Sequence, residues 1–324
     1  MDEQSKIKMG IFAERSHRII EVDDCKIQNQ KCQKIANDIY KFLKENNISG
    51  YNETVSKGLV RHIIIRIGIK TDEIMVIVVL NSLQFPKEKK FIDYLVSNNP
   101  EIKTIVKNLN NKNTNVILGN ETDVIYGEGY IFDYIGNKKF KISPHSFFQV
   151  NPVQTEKLYN KAIEYASLSG KETVFDLYCG IGTIGIYASD RVKELYGVEV
   201  VEDAIKDAKE NAKLNNIKNA KFLLGKSEEV IQKLINKNII PDIVFVDPPR
   251  RGCDKNLIQI LLNIKTNKII YISCNPATLA RDLKILEEKY EIKKLAICDM
   301  FPGTRAYRKY CIIRTKIKYI SKKT

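Results

Sequence analysis

A cysteine in this sequence stands where a nucleophile would be expected. Cys274 directly follows an apolar run that predicts a strand over Lys268 to Ser273, and Asn275-Pro276 after it predicts the start of a helix. The amino end of a helix favours negative charge and would therefore favour the thiolate, the reactive form of cysteine. Most cysteines are small buried apolar residues instead. The position between a strand and a helix nevertheless favours a catalytic nucleophile.

An acidic residue follows the preceding predicted strand, Asp242 to Val246. In Asp247-Pro248-Pro249-Arg250, two consecutive prolines fix the backbone φ angle and would hold the Asp247 carboxylate rigidly. In an open sheet of parallel strands, the residues just beyond the carboxyl ends of the strands line the ligand crevice. Asp247 and Cys274 are therefore expected to face the same crevice, although an isolated D-P-P turn would be unremarkable.

A glycine-rich turn follows a third predicted strand, Thr173 to Leu177. Gly180, Gly182 and Gly185 satisfy the pattern G-x-G-x-x-G, which permits a nucleotide-like ligand to approach the backbone closely. Glu199, at the end of the next strand, could accept hydrogen bonds from a ribose diol. An enzyme that uses NAD would show the same two features, and a tight turn without a ligand would show the glycines. The pattern alone is a weak signal.

An aromatic segment, Pro144 to Asn151, lies just before the regular part of the sequence. Phe147 could provide a stacking face, and Gln149 an amide contact, for a base flipped out of a nucleic acid. Two adjacent phenylalanines are otherwise more often core residues, so this segment is also weak evidence by itself.

The order of the predicted elements indicates how these residues would be positioned. From Pro152 onward helices and strands alternate, which implies right-handed βαβ crossovers and a doubly wound, mostly parallel sheet. The last two strands lack a helix between them, so we expect one antiparallel edge strand, as in a seven-stranded methyltransferase sheet. Earlier, short β-branched runs predict an antiparallel meander, interrupted by helical spacing at about 29–46 and 87–98. We therefore predict an α/β protein with an α+β domain over residues 1–140 and a Rossmann-like catalytic domain over 141–324.

The charge of the chain favours an anionic partner. Its 324 residues include 53 Lys and Arg against 39 Asp and Glu, a net charge of +14. After Asp299 the chain has eight basic residues and no acidic one. Such an excess attracts nucleic acid irrespective of its sequence, although a solvated lysine-rich surface would have the same composition.

The remaining composition excludes several classes of protein. With 44% hydrophobic and 28% charged residues the mixture is that of a globular protein. No apolar run approaches the roughly 20 residues of a membrane-spanning helix, and no secretory signal is evident, so we predict a cytoplasmic protein without a membrane partner. The seven cysteines are scattered and the three histidines lie far apart, so neither a disulfide framework nor a metal site is predicted.

Four segments carry a resemblance to a known family. They are S-F-F-Q-V-N at 146–151, D-L-Y-C-G-I-G-T at 176–183, D-P-P-R-R-G at 247–252 and S-C-N-P-A-T-L-A-R-D at 273–282. Together they resemble the RNA uracil-5-methyltransferase family, which modifies 23S ribosomal RNA or the T-loop of transfer RNA, and the resemblance covers nearly the whole chain. It implies S-adenosylmethionine as the cofactor, Cys274 as the nucleophile, and Gln149, Tyr178, Glu199 and Asp247 as residues that contact the cofactor. We predict in addition that Asp176, Gly180 and Gly182 bind the cofactor and that Phe147 and Arg250 bind the substrate.

Uracil methylation explains why a cysteine would be needed. Carbon 5 of uracil is a poor nucleophile, but a Cys274 thiolate that adds to carbon 6 converts the ring to an enolate, whose carbon 5 attacks the sulfonium methyl. A base must then remove the proton from carbon 5 so that the cysteine can leave by elimination. Asp247 would hold the polar edge of the ring.

The sequence departs from the family pattern near its beginning. Members usually begin with a TRAM domain, an OB-like RNA-binding barrel, often followed by three closely spaced cysteines for an iron–sulfur cluster, and we expect this chain to lack both. Cys25 lies where the fourth cluster ligand would be, but its three partners are missing, so no cluster is expected.

A second departure concerns the general base. The family's motif F-P-H-T-x-H-V-E supplies the glutamate that removes the carbon-5 proton, whereas residues 301–308 read F-P-G-T-R-A-Y-R. Arg308 stands in the place of that glutamate, and an arginine stays protonated and cannot act as a base.

These observations leave several functions to compare. We favour methylation of uracil carbon 5 in 23S ribosomal RNA, because Gly10 to Cys25 resembles the central domain of the ribosomal branch; a transfer RNA T-loop enzyme is the alternative. Arg308 leaves open a relative that binds RNA and cofactor but turns over poorly. Methylation of another base is less favoured, because cytosine-5 RNA enzymes have a cysteine where Pro249 stands and adenine-amino enzymes typically have an aromatic residue where Arg250 stands. A dehydrogenase is the least favoured, and we expect a monomer that binds RNA.

Overall fold

The computed structural model of the chain describes residues 7–13, 16 and 18–301 and, as backbone only, the strand 308–316. The chain divides into two compact units, Met1–Asp133 and Tyr134–Thr324. Within the described ranges, no helix is long and apolar enough to cross a lipid bilayer. Over the same ranges, no group of three or more His, Cys, Asp or Glu side chains could hold a metal ion.

The first unit is built on a four-stranded sheet in the order β3-β4-β5-β6, with β1 and β2 as a separate antiparallel pair. Its elements are β1 (Gly10–Phe12), β2 (Ile19–Glu21), α1 (Gln30–Glu45), β3 (Val60–Ile67), β4 (Ile74–Leu80), α2 (Glu88–Asn98), β5 (Ile102–Leu109) and β6 (Glu121–Tyr126). Strands β4 and β5 are parallel, because α2 carries the chain back across the sheet between them. Strand β5 was not predicted from the sequence, and its parallel pairing with β4 departs from the predicted antiparallel meander.

Helical periodicity positions the core of the first unit. Ile35, Ile39 and Phe42 recur every three or four residues along α1 and are at most 2% exposed. They form one apolar cluster with the alternate residues Val76 and Val78 of β4. The core therefore lies between the helices and one face of the sheet.

The second unit contains a seven-stranded sheet in the order β11-β10-β9-β12-β13-β15-β14, and β7 and β8 form a small two-stranded sheet. The remaining elements are β7 (Ile131–Ile135), β8 (Lys138–Ile142), α3 (Pro152–Ala166), β9 (Thr173–Leu177), α4 (Thr183–Ala188), β10 (Glu194–Glu199), α5 (Glu202–Leu214), β11 (Ala220–Leu224), α6 (Ser227–Asn236), β12 (Ile243–Val246), α7 (Lys255–Asn263), β13 (Lys268–Ser273), α8 (Pro276–Leu286), β14 (Tyr290–Asp299) and β15 (Arg308–Lys316). A short 3₁₀ turn, Ser189–Arg191, follows α4. The predicted α/β class is confirmed.

The central strands are buried on both faces, as parallel strands covered by helices usually are. Phe175 and Leu177 of β9 belong to one apolar cluster with Leu257 and Leu261 of α7. Asp176, between them in the sequence, points to the opposite face, where it bonds to the backbone of α4. Alternation along β9 therefore places an acidic side chain beneath the glycine-rich turn.

The single antiparallel strand lies inside the sheet and not at its edge. β15 pairs antiparallel with β13 on one side and with β14 on the other, so that β14 is the edge strand. The predicted antiparallel edge strand is thus misplaced by one position. After α8 the chain first forms the edge strand β14. It then turns back as β15, which pairs with both β14 and β13.

Candidate active site

Four predicted site residues lie at one end of the large sheet. Leu177, the last residue of β9, pairs with Val198 of β10 and with Val246 of β12. Tyr178, Glu199 and Asp247 are the next residues on these three adjacent strands and therefore stand at one level. Cys274 follows β13, which pairs in parallel with β12. These carboxyl ends are where open parallel sheets bind ligands.

The glycine-rich turn leaves room for a ligand above its backbone. Tyr178, Gly180 and Gly182 have φ angles of 60°, 54° and 83°, in the left-handed region. A Cβ atom added to Gly180 would meet no atom within 4 Å, whereas one added to Gly182 would lie 2.9 Å from the ring of Phe222. The turn therefore has open space next to Gly180, whereas close packing against Phe222 excludes a side chain at Gly182.

Glu199 holds the turn in this conformation. Its carboxylate accepts hydrogen bonds from the backbone N–H groups of Gly180 at 3.1 Å, Val200 at 2.8 Å and Val201 at 3.0 Å. A carboxylate has about four lone-pair sites, so these bonds leave room for about one further donor. The predicted contact with a ribose would use this remaining acceptor, while the three bonds in the structure order the backbone.

Asp176 lies beneath the turn and is 0% exposed. One carboxylate oxygen, Oδ2, accepts a hydrogen bond from the Gly185 N–H at 2.9 Å, and the other, Oδ1, has no partner in the described part of the chain. Burial, with smaller contributions from the nearby charges of Asp247 and Glu199, raises the pKa of Asp176 to about 7 against the lowering effect of the Gly185 bond. The turn is thus backed by an acidic group with an unused acceptor.

This raised pKa predicts a pH dependence of stability. The folded chain binds the Asp176 proton more tightly than the unfolded chain does, so its contribution to stability is complete below about pH 4 and is lost as the pH rises through 7. We expect Asp176→Asn to remove this loss, making the variant more stable relative to wild type at pH 8 than at pH 5 by on the order of 2 kcal/mol. Urea unfolding at the two pH values measures this difference. If the stability of the wild type and that of the variant changed equally between the two pH values, the raised pKa of Asp176 would be contradicted.

The aromatic segment divides into an exposed and a buried part. Phe147 is 68% exposed, whereas Phe148 is buried and its ring centroid lies 5.8 Å from that of Phe140. Gln149 is 6% exposed, and its side chain bonds to the hydroxyl of Tyr159. Phe147 is therefore free to stack on a base, while its neighbours anchor the segment.

A row of polar residues on α5 holds β8 and the start of this segment, and it was not predicted from the sequence. Asp207, Asn211 and Asn215 recur every four residues on one face of α5. Both asparagines accept hydrogen bonds from backbone N–H groups of β8 at 2.7–2.9 Å, and Asp207 accepts one from the Ser146 hydroxyl. Asn211 also donates to the carbonyl of Ile181 in the glycine-rich turn at 3.3 Å. The i, i+4, i+8 spacing of short polar side chains was the available signal.

The loop that carries Cys274 is tied to the loop that carries Asp247. Asn275 caps α8 by accepting from the Ala277 N–H at 3.0 Å, and its amide donates to the carbonyl of Arg250 at 3.1 Å. The Thr278 hydroxyl donates to the same carbonyl at 3.2 Å. These bonds place the half-buried Cys274 next to the D-P-P-R turn.

A second tie uses the last two residues of the fourth motif. Asp282 is 1% exposed and accepts hydrogen bonds from the Cys253 N–H at 2.8 Å and the Tyr271 hydroxyl at 2.6 Å. Arg281 donates to Asp282 at 2.8 Å and to the carbonyl of Arg251 at 2.9 Å. In the sequence analysis this motif supports only the family resemblance. The structural role of Arg281 and Asp282 was not predicted.

We expect Asp282→Ala to destabilise the chain by about 3 kcal/mol, because it leaves the buried N–H and hydroxyl donors without an acceptor. Chemical denaturation measures the change in the free energy of unfolding. Glu287→Ala, at the end of the same helix, removes an exposed carboxylate and serves as the matched control, with an expected change below about 0.5 kcal/mol. Equal effects of the two substitutions would contradict the role of Asp282.

The other cysteines near the site are poor candidates for a nucleophile. Burial raises the pKa of Cys253 to about 12 and that of Cys179 well above its ordinary value. Both side chains are buried, whereas Cys274 is half-buried. Arg250 is exposed on the adjoining turn. The predicted base position cannot be placed, because residues 302–307 and the Arg308 side chain lie outside the described residues.

Comparison with known proteins identifies the relatives of this chain. The tRNA (uracil-5-)-methyltransferase family matches residues 120–309. An uncharacterized RNA methyltransferase of Clostridium acetobutylicum is 51% identical over 298 residues, covering 92% of this chain and 65% of the relative. One from Staphylococcus aureus is 46% identical over 303 residues, covering 94% of this chain and 67% of the relative. The chain thus spans about two thirds of the length of these relatives.

Solved structures support the same fold. The Pyrococcus abyssi tRNA (uracil-54, C5)-methyltransferase, solved in complex with S-adenosyl-L-homocysteine, is similar with a TM-score of 0.76 and 29% identity. The match covers 94% of this chain and 72% of that chain. A tRNA m1G37 methyltransferase of Methanocaldococcus jannaschii shares the fold alone, with a TM-score of 0.51 and 15% identity. These neighbours confirm an α/β methyltransferase fold.

Proposed function

The chain belongs to the tRNA (uracil-5-)-methyltransferase family, and from this premise we propose that it methylates carbon 5 of uracil in RNA with S-adenosylmethionine as the methyl donor. The main observation in support of this proposal is that hydrogen bonds join two loops. Bonds from Asn275 and Thr278 to the Arg250 carbonyl hold Cys274 beside the Asp247 turn, at the same end of the sheet as the glycine-rich turn. Nucleophile and cofactor site therefore share one crevice.

The residues around the glycine-rich turn fit S-adenosylmethionine. Gly180 leaves open space for a ligand, and the unpartnered oxygen of Asp176 is an acceptor close to it. The cofactor, when bound, supplies a methyl group activated by the positive charge of its sulfonium. The carboxylates of Asp176, Glu199 and Asp247 lie close enough for their charges to interact, and a cationic ligand relieves that repulsion. Gln149, Tyr178 and Gly182 complete the proposed cofactor site.

The substrate side of the crevice is assigned to Cys274, Phe147, Arg250 and Asp247, of which Asp247 also borders the cofactor site. The thiolate of Cys274 adds to carbon 6 of uracil, forming the sulfur–carbon bond and placing electron density on carbon 5. Asp247 holds the polar edge of the ring. Phe147, which is exposed, stacks on a base, and Arg250 on the adjoining turn contacts the RNA. After methyl transfer a base takes the carbon-5 proton, and the bond to Cys274 breaks.

We propose 23S ribosomal RNA as the substrate, with the T-loop of transfer RNA as the alternative. The support is the resemblance of Gly10 to Cys25 to the ribosomal branch of the family. Mapping 5-methyluridine in RNA from cells with and without the gene tests this choice. Loss of the modification from one uridine of 23S RNA is the expected result. Loss from transfer RNA alone would contradict the substrate while supporting the reaction, and no loss from either RNA would contradict both.

Arg308 favours a second candidate function, a relative that binds RNA and S-adenosylmethionine but completes the reaction slowly. The family's base is a glutamate at this position, and no other base is evident from the sequence. Such a protein would form the covalent adduct with RNA and release it slowly. Denaturing gel electrophoresis distinguishes the two candidates, because only a slowly released adduct accumulates to amounts near that of the enzyme.

A further inference from the structure

A groove lined by lysines lies at one edge of the large sheet, away from the candidate active site. It has a volume of about 540 Å³ and lies between the last turns of α5 and the edge strand β11. Four lysines line it: Lys209, Lys213, Lys218 and Lys221. Apolar residues form its floor: Ala212, Ile217, Ala220 and Phe222. We call this surface the lysine groove.

The positive charge of the lysine groove is largely uncompensated. Lys209, Lys213 and Lys218 are exposed and, among the described residues, form no ion pair. Lys209 and Lys213 stand one turn apart on α5, where like charges repel each other. By contrast Lys206, on the preceding turn, pairs with acidic residues of its own helix at 3.1 and 3.3 Å. Lys221 is the one groove lysine with an ion pair, to Glu194 at 3.4 Å. Bound anionic groups would relieve this repulsion.

The position of the lysine groove excludes contact with the target base. Lys221 pairs with Tyr196, three residues before Glu199, so the groove begins about 10 Å along the strand from the level of the active site. Strand β11 is four strand spacings from β13, which carries Cys274 at its end, or about 19 Å at ~4.8 Å per spacing. A ligand that fills both places must be extended and anionic. RNA has both properties.

We propose that the lysine groove binds phosphates of the RNA substrate at a distance from the target uridine. The inference rests on the proposed function, because it takes RNA as the polyanion. Lysine contacts to phosphates fix the position of a nucleic acid without reading its sequence. The apolar floor accommodates the face of a base or ribose between the charged side chains. The groove thus adds affinity and orientation, while the crevice at the strand ends selects the base.

The test is the salt dependence of RNA binding by a variant with Lys209→Gln, Lys213→Gln and Lys218→Gln. The probes are transcripts of 23S ribosomal RNA and of transfer RNA. Each lost phosphate contact reduces the slope of log affinity against log salt by about 0.7 for single strands. Three contacts reduce it by about 2, which corresponds to a roughly 100-fold loss of affinity at 0.1 M salt. Methyl transfer at saturating RNA is expected to stay at the wild-type rate.

The matched control carries Lys233→Gln, Lys237→Gln and Lys265→Gln, which removes the same charge from exposed lysines outside the groove. It is expected to bind RNA almost as tightly as the wild type does. An equal loss in the two variants would mean that only net charge matters, and an unchanged slope in the groove variant would mean that no phosphate binds there; either overturns the proposal.

The remaining outcomes separate this inference from the proposed function. If the groove variant binds RNA normally but loses binding to polyglutamate, the groove fits an acidic polypeptide and the proposal fails. If the wild type methylates no RNA, the proposed function fails. The affinity comparison requires no turnover, so it still decides whether the lysine groove binds RNA.

Discussion

Replacement of Cys274 with alanine is expected to lower methyl transfer to RNA by at least about 10⁴-fold, because carbon 5 of uracil has no other means of activation. Binding of S-adenosylmethionine should remain close to that of the wild type. The cysteine lies beyond β13, whereas the glycine-rich turn follows β9, two strands away. Single-turnover transfer of a labelled methyl group and equilibrium binding of the cofactor measure the two effects.

Cys298→Ala provides a matched control for the loss of a thiol. Cys298 is half-buried like Cys274, but it lies on the edge strand β14, and its sulfur contacts the backbone carbonyl of Gln154 in α3 at 3.5 Å. We expect full activity from this variant. The covalent adduct with RNA should be detectable with the wild type and Cys298→Ala and absent with Cys274→Ala. Wild-type activity in Cys274→Ala would eliminate the covalent mechanism and leave only the fold assignment.

The sequence predicts the positions of these residues in the fold because parallel strands impose a simple rule. The residues that follow parallel strands meet at one edge, so placing Tyr178, Glu199, Asp247 and Cys274 after four strands was enough to bring them together. The resemblance drawn from the four short motifs is confirmed by the family match and by the relatives. Strand ends and short motifs can be identified from the local sequence without knowing how the side chains pack.

The supporting contacts could not be predicted in the same way. Asp207 and Asn211 on α5, and Asp282 on α8, bond to segments 29 to 70 residues away in the chain. Their partners depend on which helix packs beside which loop, and a single sequence does not specify that choice. The position of β15 was missed for a related reason, since a hairpin gives the direction of its strands but not which of them joins the sheet.

Arg308 supports the last prediction. Since an arginine cannot accept the carbon-5 proton, we expect the wild-type chain to accumulate a covalent RNA adduct and to turn over slowly. Arg308→Glu supplies the missing base and should raise turnover by about 10²–10⁴-fold, the usual contribution of a positioned general base. Steady-state methyl transfer measures the gain, and denaturing electrophoresis measures the disappearance of the adduct.

The genetic code indicates a more complete variant than this single substitution. If residues 305–308 are encoded by AGA-GCA-TAT-AGA, deletion of one adenine from the first codon gives GAG-CAT-ATA-GAA, the last base coming from the codon of Lys309. The deduced peptide is Glu-His-Ile-Glu, and Phe301-Pro302-Gly303-Thr304 then continues with the histidine and glutamate of the family motif. With suitable synonymous codons the shifted frame continues as Asn-Thr-Val-Leu-Leu, of which the last three residues are apolar. Sequencing the gene checks the codons. CGN codons for Arg305 and Arg308 would exclude a one-base shift of the reading frame as the origin of residues 305–308.

Comparison of three variants decides what the arginine does. Arg308→Gln removes the positive charge without adding a base and is the matched control, with turnover expected to stay near that of the wild type. Arg308→Glu is expected to restore release of the RNA, and a chain with Glu-His-Ile-Glu at 305–308 is expected to be at least as active. If the wild type already releases methylated RNA rapidly and the glutamate brings no gain, another group removes the proton. In that case the chain is a fully active methyltransferase that carries its base elsewhere in the crevice.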